Sequence, residues 1–211
     1  MPNRLILKAQ PHADDVVAAA VSALQAGRIV AYPTDTLYGL AVDPRHPSGV
    51  QDLFDVKGRD RSQAIPLIAA DASQAQMLAR AWTPLAERLS LRGWPGPLTL
   101  VVAAAPSLPA ELLGGRDTVA VRVPDAAFAR SLAWALGHPI TSTSANRSGQ
   151  PAARTAEAVA KTLGGALALV IDGGPSPVTI PSTIVDVTGD TPILVRAGAV
   201  PWERVLDFSA A

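Results

Sequence analysis

The chain has 211 residues, of which 48% are hydrophobic and 17% are charged, and its 18 basic side chains balance 18 acidic ones. This composition is typical of a globular protein with a substantial core and excludes an intrinsically disordered chain. The balanced charge gives no global electrostatic argument for nucleic-acid binding, although it leaves room for a local basic patch. Because the chain has no cysteine, disulfides, thiol catalysis and thiolate metal sites are excluded.

Apolar periodicity and helix-end signals predict strands and helices along the whole chain. Strands are predicted at residues 5–7, 29–32, 65–70, 98–103, 118–123, 167–171, 184–187 and 193–196. Helices are predicted at residues 13–26, 49–57, 71–81, 84–91, 126–136, 155–163 and 202–206. Ser48, Thr83 and Asp125 are predicted to cap three of the helices.

Several predicted strands follow one another with no helix between them. This order predicts an α/β protein of the α+β type, in which a twisted mixed parallel and antiparallel sheet is flanked by helices. We expect one domain over residues 1–211. Residues 1–10 lack the apolar run of a signal peptide, and no stretch is apolar over the length of a membrane span. We therefore expect a cytoplasmic protein with no membrane partner.

A polar run, Thr34 to Thr36, follows the strand predicted at residues 29–32. It places two hydroxyls and a carboxylate where the strand ends, as a small-ligand site requires. The alternative interpretation is an ordinary turn between two strands, with Gly39 as a permissive backbone position before the next apolar run.

Cationic side chains interrupt the apolar pattern. Valines flank Arg122 on both sides, so a buried guanidinium at this position needs an anionic partner. That partner is either a ligand or a structural carboxylate, for which Asp117 and Asp125 are the candidates. Lys57 and Arg59 follow a predicted helix, where they either complement its negative end or neutralise a triphosphate.

A second polar loop contains Ser142, Ser144 and Asn146. It is either a Ser/Asn-rich turn or a cradle of hydroxyls and backbone N–H groups for phosphate or carboxylate oxygens. Arg196, near the end of the last predicted strand, has the same two interpretations as Lys57 and Arg59, structural or ligand-binding.

Several familiar sites are missing from the sequence. The chain has neither a P-loop nor a Gly-x-Gly-x-x-Gly fingerprint, so a nucleotide would have to be held differently. It also has no Gly-x-Ser-x-Gly nucleophile elbow. His12, His46 and His138 lack the spacing of metal ligands and are predicted to lie at the surface.

Eight short segments carry a resemblance to a known family. In chain order they are Tyr32 to Leu40, Lys57 to Arg59, Trp94 to Thr99, Asp117 to Pro124, Ser144 to Gly149, Ile171 to Gly174, Ser182 to Asp186, and Arg196 to Gly198. In this order and over nearly the whole chain they resemble the YrdC/TsaC family, the threonylcarbamoyl-adenylate synthases. The chain resembles the short, single-domain form of that family, with a YrdC-like fold.

The resemblance implies a nucleotidyltransferase that makes threonylcarbamoyl-AMP. L-threonine and bicarbonate would form a carbamate, whose carboxylate attacks the α-phosphate of ATP and releases pyrophosphate. Mg²⁺ would accompany ATP without a dedicated protein cage. The product would pass to downstream tRNA threonylcarbamoyl-transfer proteins for tRNA modification. Because the substrate supplies the attacking oxygen, the protein needs only to position ligands and neutralise charge.

The resemblance also assigns residues. The threonine site would comprise Thr36, Arg122, Ser142 and Ser182, and the ATP site would comprise Arg59, Thr118, Ser144 and Arg196. Lys57 joins the ATP site on grounds of charge, and Asn146 joins it as part of the same loop. Lys57, Arg59 and Arg122 are the predicted catalytic cations, and no residue is predicted to be a metal ligand.

The sequence departs from the family pattern at three positions. Asp60 and Ala197 stand where the family usually has proline, and Ala70 stands where it often has histidine. Two alternative functions stay open: a module that binds double-stranded RNA or tRNA, and a paralogue that uses another carbamoyl-type substrate. Ala70 is the residue that favours the paralogue.

Overall fold

The computed structural model of the chain describes residues 5–8, 14–177 and 180–210. His12, predicted to lie at the surface, falls outside these residues. Within them, the strands are β1 (Leu5–Lys8), β2 (Val30–Tyr32), β3 (Gly39–Ala41), β4 (Leu67–Ile68), β5 (Leu98–Ala103), β6 (Thr118–Arg122), β7 (Ile140–Thr141), β8 (Thr143–Ser144), β9 (Leu169–Asp172), β10 (Thr183–Asp186) and β11 (Ile193–Arg196). The helices are α1 (Asp14–Gln25), α2 (Pro47–Lys57), α3 (Ala72–Gln76), α4 (Pro84–Gly93), α5 (Ala110–Leu113), α6 (Ala127–Leu136), α7 (Ala156–Leu163) and α8 (Trp202–Ser209).

In the described part of the chain the strands form two sheets. One has the order β1-β9-β2-β3-β8, and the other has the order β11-β10-β5-β6-β4-β7. Both are mixed: β1 and β9 pair in parallel while β2 and β3 pair antiparallel, and β10 and β5 pair in parallel while β5 and β6 pair antiparallel. The predicted mixed sheet flanked by helices is confirmed, with its strands divided between two sheets. Only Ser142 separates β7 from β8, so the chain crosses between the sheets at this residue.

Three clusters of buried apolar side chains hold the layers together. Helices α2 and α7 pack on one face of the five-stranded sheet. On the other face, α1 and α6 contact residues of both sheets, including Tyr32 from one and Ile68 from the other. Helices α3, α4 and α8 cover one face of the six-stranded sheet. Because α1 and α6 contact both sheets, these two helices fix the sheets relative to each other.

The alternation of side chains along β5 and β6 explains why the six-stranded sheet has one open face. Leu98, Leu100 and Val102 point into the core with α4 and α8, as do Val119 and Val121 of β6. Their neighbours in sequence point to the opposite face because side chains alternate across a strand. None of the described helices packs over the central strands on that opposite face, which forms the floor of a cleft.

Three helix starts test the predicted caps. The Thr83 hydroxyl accepts the Ala86 amide at 3.0 Å, which confirms the cap of α4. The cap predicted at Ser48 is wrong, because α2 begins one residue earlier, at Pro47, whose fixed φ suits a first helical position. The cap predicted at Asp125 is also wrong, because Ala126 occupies the N-cap position of α6 and makes no side-chain hydrogen bond.

His138 lies in the interior, so its predicted surface position is wrong. The residue is 6% exposed, and its Nε2 lies 3.5 Å from the Asp43 carboxylate. It links the end of α6 to β7, where the chain turns from a surface helix into the sheet. Burial alone would raise the pKa of Asp43, but hydrogen bonds from His138 and from the Arg45 amide hold that pKa below its ordinary value. Among the described helices, none combines the length and hydrophobicity needed to cross a bilayer.

Candidate functional site

A cleft of about 640 Å³ lies over the open face of the six-stranded sheet. Its floor comes from β5, β6 and β10, and its walls come from the β2–β3 loop, the segment after α2, and the crossing between β7 and β8. This volume is in the range that binds small-molecule ligands. The lining residues most relevant to chemistry are Thr34, Thr36, Arg59, Thr99, Arg116, Thr118, Arg122, Ser142, Thr143, Ser144, Ser182, Asp186 and Arg196.

Strand register places two arginines in one row across the floor. Ile184 pairs with Thr99 of β5 and with Arg196 of β11. Because Leu100 pairs with Val121, continuing that register by one residue brings Thr99 beside Arg122. The row therefore has an arginine at each end, with a threonine and an isoleucine between them.

Arg122 is buried and held by three different groups. Its Nε donates to the Gly96 carbonyl at 2.8 Å, and its Nη1 donates to the Thr36 hydroxyl at 3.0 Å. Its Nη2 donates to the Asp35 carboxylate. Burial lowers the pKa of Arg122, and the Asp35 charge opposes that shift. The structural partner is therefore Asp35, and the alternative that named Asp117 or Asp125 is wrong.

The Thr34 to Thr36 run forms one side of the Arg122 site. Thr34 donates to the Leu37 carbonyl at 2.6 Å, and the Thr34 and Thr36 hydroxyls lie 3.1 Å apart. Gly39 has no positive φ. Its lack of a side chain instead admits the Tyr32 ring, because a Cβ at Gly39 would lie 2.9 Å from that ring. Close approach, rather than backbone freedom, is thus the reason for glycine here.

The crossing between the sheets brings the second polar loop to the cleft. The Ser142 amide donates to the Pro66 carbonyl at 2.7 Å, which fixes the crossing against the segment before β4. On the far side of the crossing, Ser144 pairs with Gly39 in the five-stranded sheet. Both serines line the cleft.

Lys57 and Arg59 lie at the end of α2, but they point to different places. Lys57 is 3% exposed, and its amine donates to the Ser144 carbonyl at 2.5 Å and to Asn146 Oδ1 at 2.8 Å. Burial, with the Arg59 charge as the second cause, lowers the pKa of Lys57 to about 8. Lys57 and Asn146 therefore lie behind Ser144 and do not line the cleft.

Arg59 reaches the cleft itself. It donates from Nη2 to the Ala64 carbonyl at 2.6 Å and from Nη1 to the Thr143 hydroxyl at 3.3 Å. Its Nε is buried without a hydrogen bond in the described structure. Burial lowers the pKa of Arg59.

Arg196 is held beside Ser182. Its Nη2 donates to the Ser182 carbonyl at 2.8 Å, and Ser182 Oγ lies 2.8 Å from Thr99 Oγ1. Burial lowers the pKa of Arg196, and the charge of Arg122 adds to this effect. Gly198 is required nearby, since a Cβ there would meet the Pro181 carbonyl oxygen at 2.4 Å.

The structure brings the predicted site residues together around one cleft. Eight of the ten line it, namely Thr36, Arg59, Thr118, Arg122, Ser142, Ser144, Ser182 and Arg196, and the other two, Lys57 and Asn146, support the wall behind Ser144. Sequence reasoning included Asp35 in the polar run after β2 but did not pair it with Arg122. It gave no role to Thr99 or Asp186. The alternation of side chains along β10 could have indicated a role for Asp186, because it places Asp186 on the same face as Ser182.

The charge and polarity of the cleft suit an anionic ligand. Arginines and hydroxyls converge on it, while the described residues contain no cluster of acidic or histidine side chains that could hold a metal. Such a site suits a reaction between two bound ligands, in which the protein positions them and neutralises their charge.

Comparison with known proteins adds sequence and fold relationships. The Sua5_yciO_yrdC family model, described as "Telomere recombination", matches residues 22–198. The threonylcarbamoyl-AMP synthase of Pyrococcus abyssi is 37% identical over 186 residues, which cover 88% of this chain and 55% of that protein. The enzyme of the same name from Thiobacillus denitrificans is 42% identical over 163 residues, covering 77% of this chain and 86% of that protein. The crystal structure of P. abyssi Sua5 complexed with L-threonine aligns with a TM-score of 0.92 at 34% identity, covering 97% of this chain and 60% of that one. This chain thus spans little more than half the length of the Pyrococcus relative.

Proposed function

We propose a function for this chain, which belongs to the Sua5, YciO and YrdC family: it joins L-threonine, bicarbonate and ATP into threonylcarbamoyl-AMP and pyrophosphate. The observation that carries the proposal is the convergence of Arg59, Arg122 and Arg196 on one cleft with the hydroxyls of both polar loops. The names of the relatives and the threonine complex of Sua5 support threonine and ATP as substrates.

In this proposal the Arg122 end of the cleft binds threonine. A guanidinium has five N–H donors, and three of those of Arg122 have partners in the described structure. The remaining two, one on each terminal nitrogen, suit the two oxygens of a carboxylate. Thr36, Ser142 and Ser182 would offer hydroxyls to the rest of the amino acid.

The opposite wall would bind the phosphates. Arg59 and Ser144 face the cleft there, with the positive charge of Lys57 directly behind Ser144. Two anions, the carbamate and the α-phosphate, must approach each other, and flanking cations reduce their repulsion. Thr118 and Arg196 would contact ATP on the sheet side. We propose that Mg²⁺ enters the cleft bound to the phosphates of ATP. Mg²⁺ keeps most of its waters and therefore needs few protein ligands.

The test is an amino-acid-dependent reaction. Purified protein is incubated with ATP, labelled bicarbonate and one amino acid at a time, and pyrophosphate and acyl-adenylate are measured. Labelled adenylate that requires threonine would support the proposal. Turnover with another acceptor and none with threonine would instead favour the paralogue, and RNA binding with a steep salt dependence and no adenylate would favour the RNA-binding module.

Transfer to tRNA belongs to the same proposal. We expect separate tRNA threonylcarbamoyl-transfer proteins to consume the adenylate. They must do so promptly, because the adenylate is a mixed anhydride and hydrolyses readily in water. Adding such proteins and tRNA to the reaction should move the label into tRNA. Failure of this step alone would remove the proposed partners and leave the adenylate chemistry unaffected.

A further inference from the structure

Asp186 and Arg116 are charged residues of the cleft that the proposed reaction does not use, and Asp186 is the acidic one. It lies on the floor of the cleft among the arginines and hydroxyls. Strand register pairs it with Val101, and Val101 pairs with Ala120. This row lies two residues along the strands from the row that contains Arg196, a spacing of about 6.8 Å.

A turn holds the Asp186 carboxylate and leaves one oxygen free. Oδ1 accepts the Thr188 amide at 2.9 Å and the Thr188 hydroxyl at 2.7 Å. Among the described residues, Oδ2 has no hydrogen bond and Asp186 has no ion pair. The protein therefore orients the carboxylate, and Oδ2 can still accept a hydrogen bond from a ligand.

The charges in the cleft restrict how a nucleotide can lie. A carboxylate repels phosphate, so the triphosphate is favoured near Arg59 and Ser144 and disfavoured over Asp186. The floor beside Asp186 is made of Val101 and Ala120, two side chains without polar groups that leave room for a flat base. A carboxylate beside a nucleoside commonly accepts hydrogen bonds from ribose hydroxyls.

We propose that Asp186 recognises the ribose of the bound nucleotide, accepting a hydrogen bond from its 2′- or 3′-hydroxyl while the base packs over Val101 and Ala120. Asp186 is thus a specificity-determining residue that selects ribonucleotides over deoxyribonucleotides. This assignment rests on the proposed function, because it takes ATP as the ligand of the cleft.

The experiment compares ATP with 2′-deoxy-ATP and 3′-deoxy-ATP. Dissociation constants are measured by calorimetry without threonine, and pyrophosphate release is measured with threonine. The wild-type protein should bind ATP about tenfold or more tightly than at least one deoxy analogue, as expected for one charge-assisted hydrogen bond. Asp186→Ala should bind ATP and that analogue equally within about twofold, as weakly as the wild type binds the analogue.

Two further variants separate recognition from folding. Thr188→Ala removes the hydroxyl that orients Oδ1 but keeps the carboxylate and the backbone amide, so it should keep most of the ribose preference. Asp186→Asn keeps an oxygen to accept the Thr188 amide and loses the charge. It should fold if Asp186→Ala does not, and its ribose preference should be smaller than that of the wild type.

The outcomes distinguish this inference from the proposed function. An unchanged ribose preference in Asp186→Ala would overturn the inference, as would a shift in the Mg²⁺ requirement with the sugar preference intact. Wild-type protein that binds ATP with a ribose preference but releases no threonine-dependent pyrophosphate would refute the proposed function and leave the assignment of Asp186 standing. Absence of ATP binding by the wild type would overturn both.

Discussion

The two cationic ends of the cleft are built in different ways. At one end, Arg122 is fixed by a carbonyl, a hydroxyl and a carboxylate, all from the protein. At the other end, Arg59 has two partners and a buried Nε without one. Lys57, beside it, has a pKa that burial lowers to about 8. The protein thus neutralises and orients the cation at one end, whereas the cations at the other end have hydrogen bonds but no acidic partner in the described structure.

The difference between the Arg122 end and the Arg59 end matches the two proposed substrates, threonine and ATP. A small carboxylate makes few contacts, so its binding depends on a guanidinium whose orientation is already fixed. A triphosphate carries several charges and tolerates less exact placement, because it gains from each cation that it neutralises. We therefore expect changes at the Arg122 end to affect stability and threonine, and changes at the Arg59 end to affect ATP and its pH dependence.

The largest effect should come from breaking the buried pair. Arg122→Met leaves the Asp35 carboxylate, with its side chain 13% exposed, without its partner. Loss of one member of a buried ion pair costs about 3–5 kcal/mol of unfolding free energy. Urea denaturation at neutral pH measures this loss, and the double variant Asp35→Asn/Arg122→Met should recover most of it. A double variant as unstable as the single one would show that packing, not charge, dominates here.

A milder change at the same residue tests threonine binding. Arg122→Lys keeps the positive charge but loses the planar fork of the guanidinium. The threonine concentration that gives the half-maximal rate should therefore rise about 10- to 150-fold, which corresponds to ~1.5–3 kcal/mol of lost binding free energy. ATP affinity should stay within about twofold, since the phosphates are expected at the other end. Equal loss of threonine and ATP would contradict the division of the cleft into two ends.

The opposite end is tested by Arg59→Ala. Loss of a charge-assisted contact to phosphate should weaken ATP binding by ~1.5–3 kcal/mol with little change in threonine binding. Arg61→Ala is the matched control, because Arg61 is two residues away, its side chain is 62% exposed, and its ion pair in the described structure is with the exposed Asp55. Its effect should be below about 1 kcal/mol. Unchanged ATP affinity in Arg59→Ala, measured by calorimetry, would refute the phosphate role.

The smallest effect is a pH dependence from Lys57. Burial and Arg59 lower its pKa from 10.5 to about 8, so the unfolded chain holds more protons than the folded chain between these values. The contribution of Lys57 to the unfolding free energy therefore rises as pH increases from about 8 to about 10.5. Bound phosphate favours the charged amine and raises its pKa, so ATP binding should take up protons near pH 8 and weaken above it, by at most about tenfold per pH unit.

Calorimetry in two buffers with different ionisation enthalpies counts the protons taken up per ATP bound. Lys57→Met removes the titrating group, so it should show less proton uptake than the wild type and a flatter pH dependence of ATP affinity. Equal proton uptake by the two proteins would show that Lys57 does not sense the nucleotide.

Local patterns in the sequence were sufficient to predict most elements and one important feature of the site. The flanking valines indicate that a buried Arg122 needs an anionic partner, and the structure pairs Arg122 with the Asp35 carboxylate. The helix predicted at residues 71–81, by contrast, ends at Gln76. Short elements such as this one are decided by how the chain packs onto the sheet, which propensity alone does not encode.

The sequence by itself determined which residue types could bind anions and on which face of a strand each one lies, because helix and strand periods are local properties of the backbone. Only the tertiary structure decided which of them meet. Asp35 and Arg122 are 87 positions apart in the chain, and the carboxylates close to Arg122 in sequence proved to be the wrong partners. Lys57 could be assigned to a helix end from sequence, but its contacts with Ser144 and Asn146 exist only because the chain crosses between two sheets at Ser142. Such pairings depend on long-range packing, and no local period specifies them.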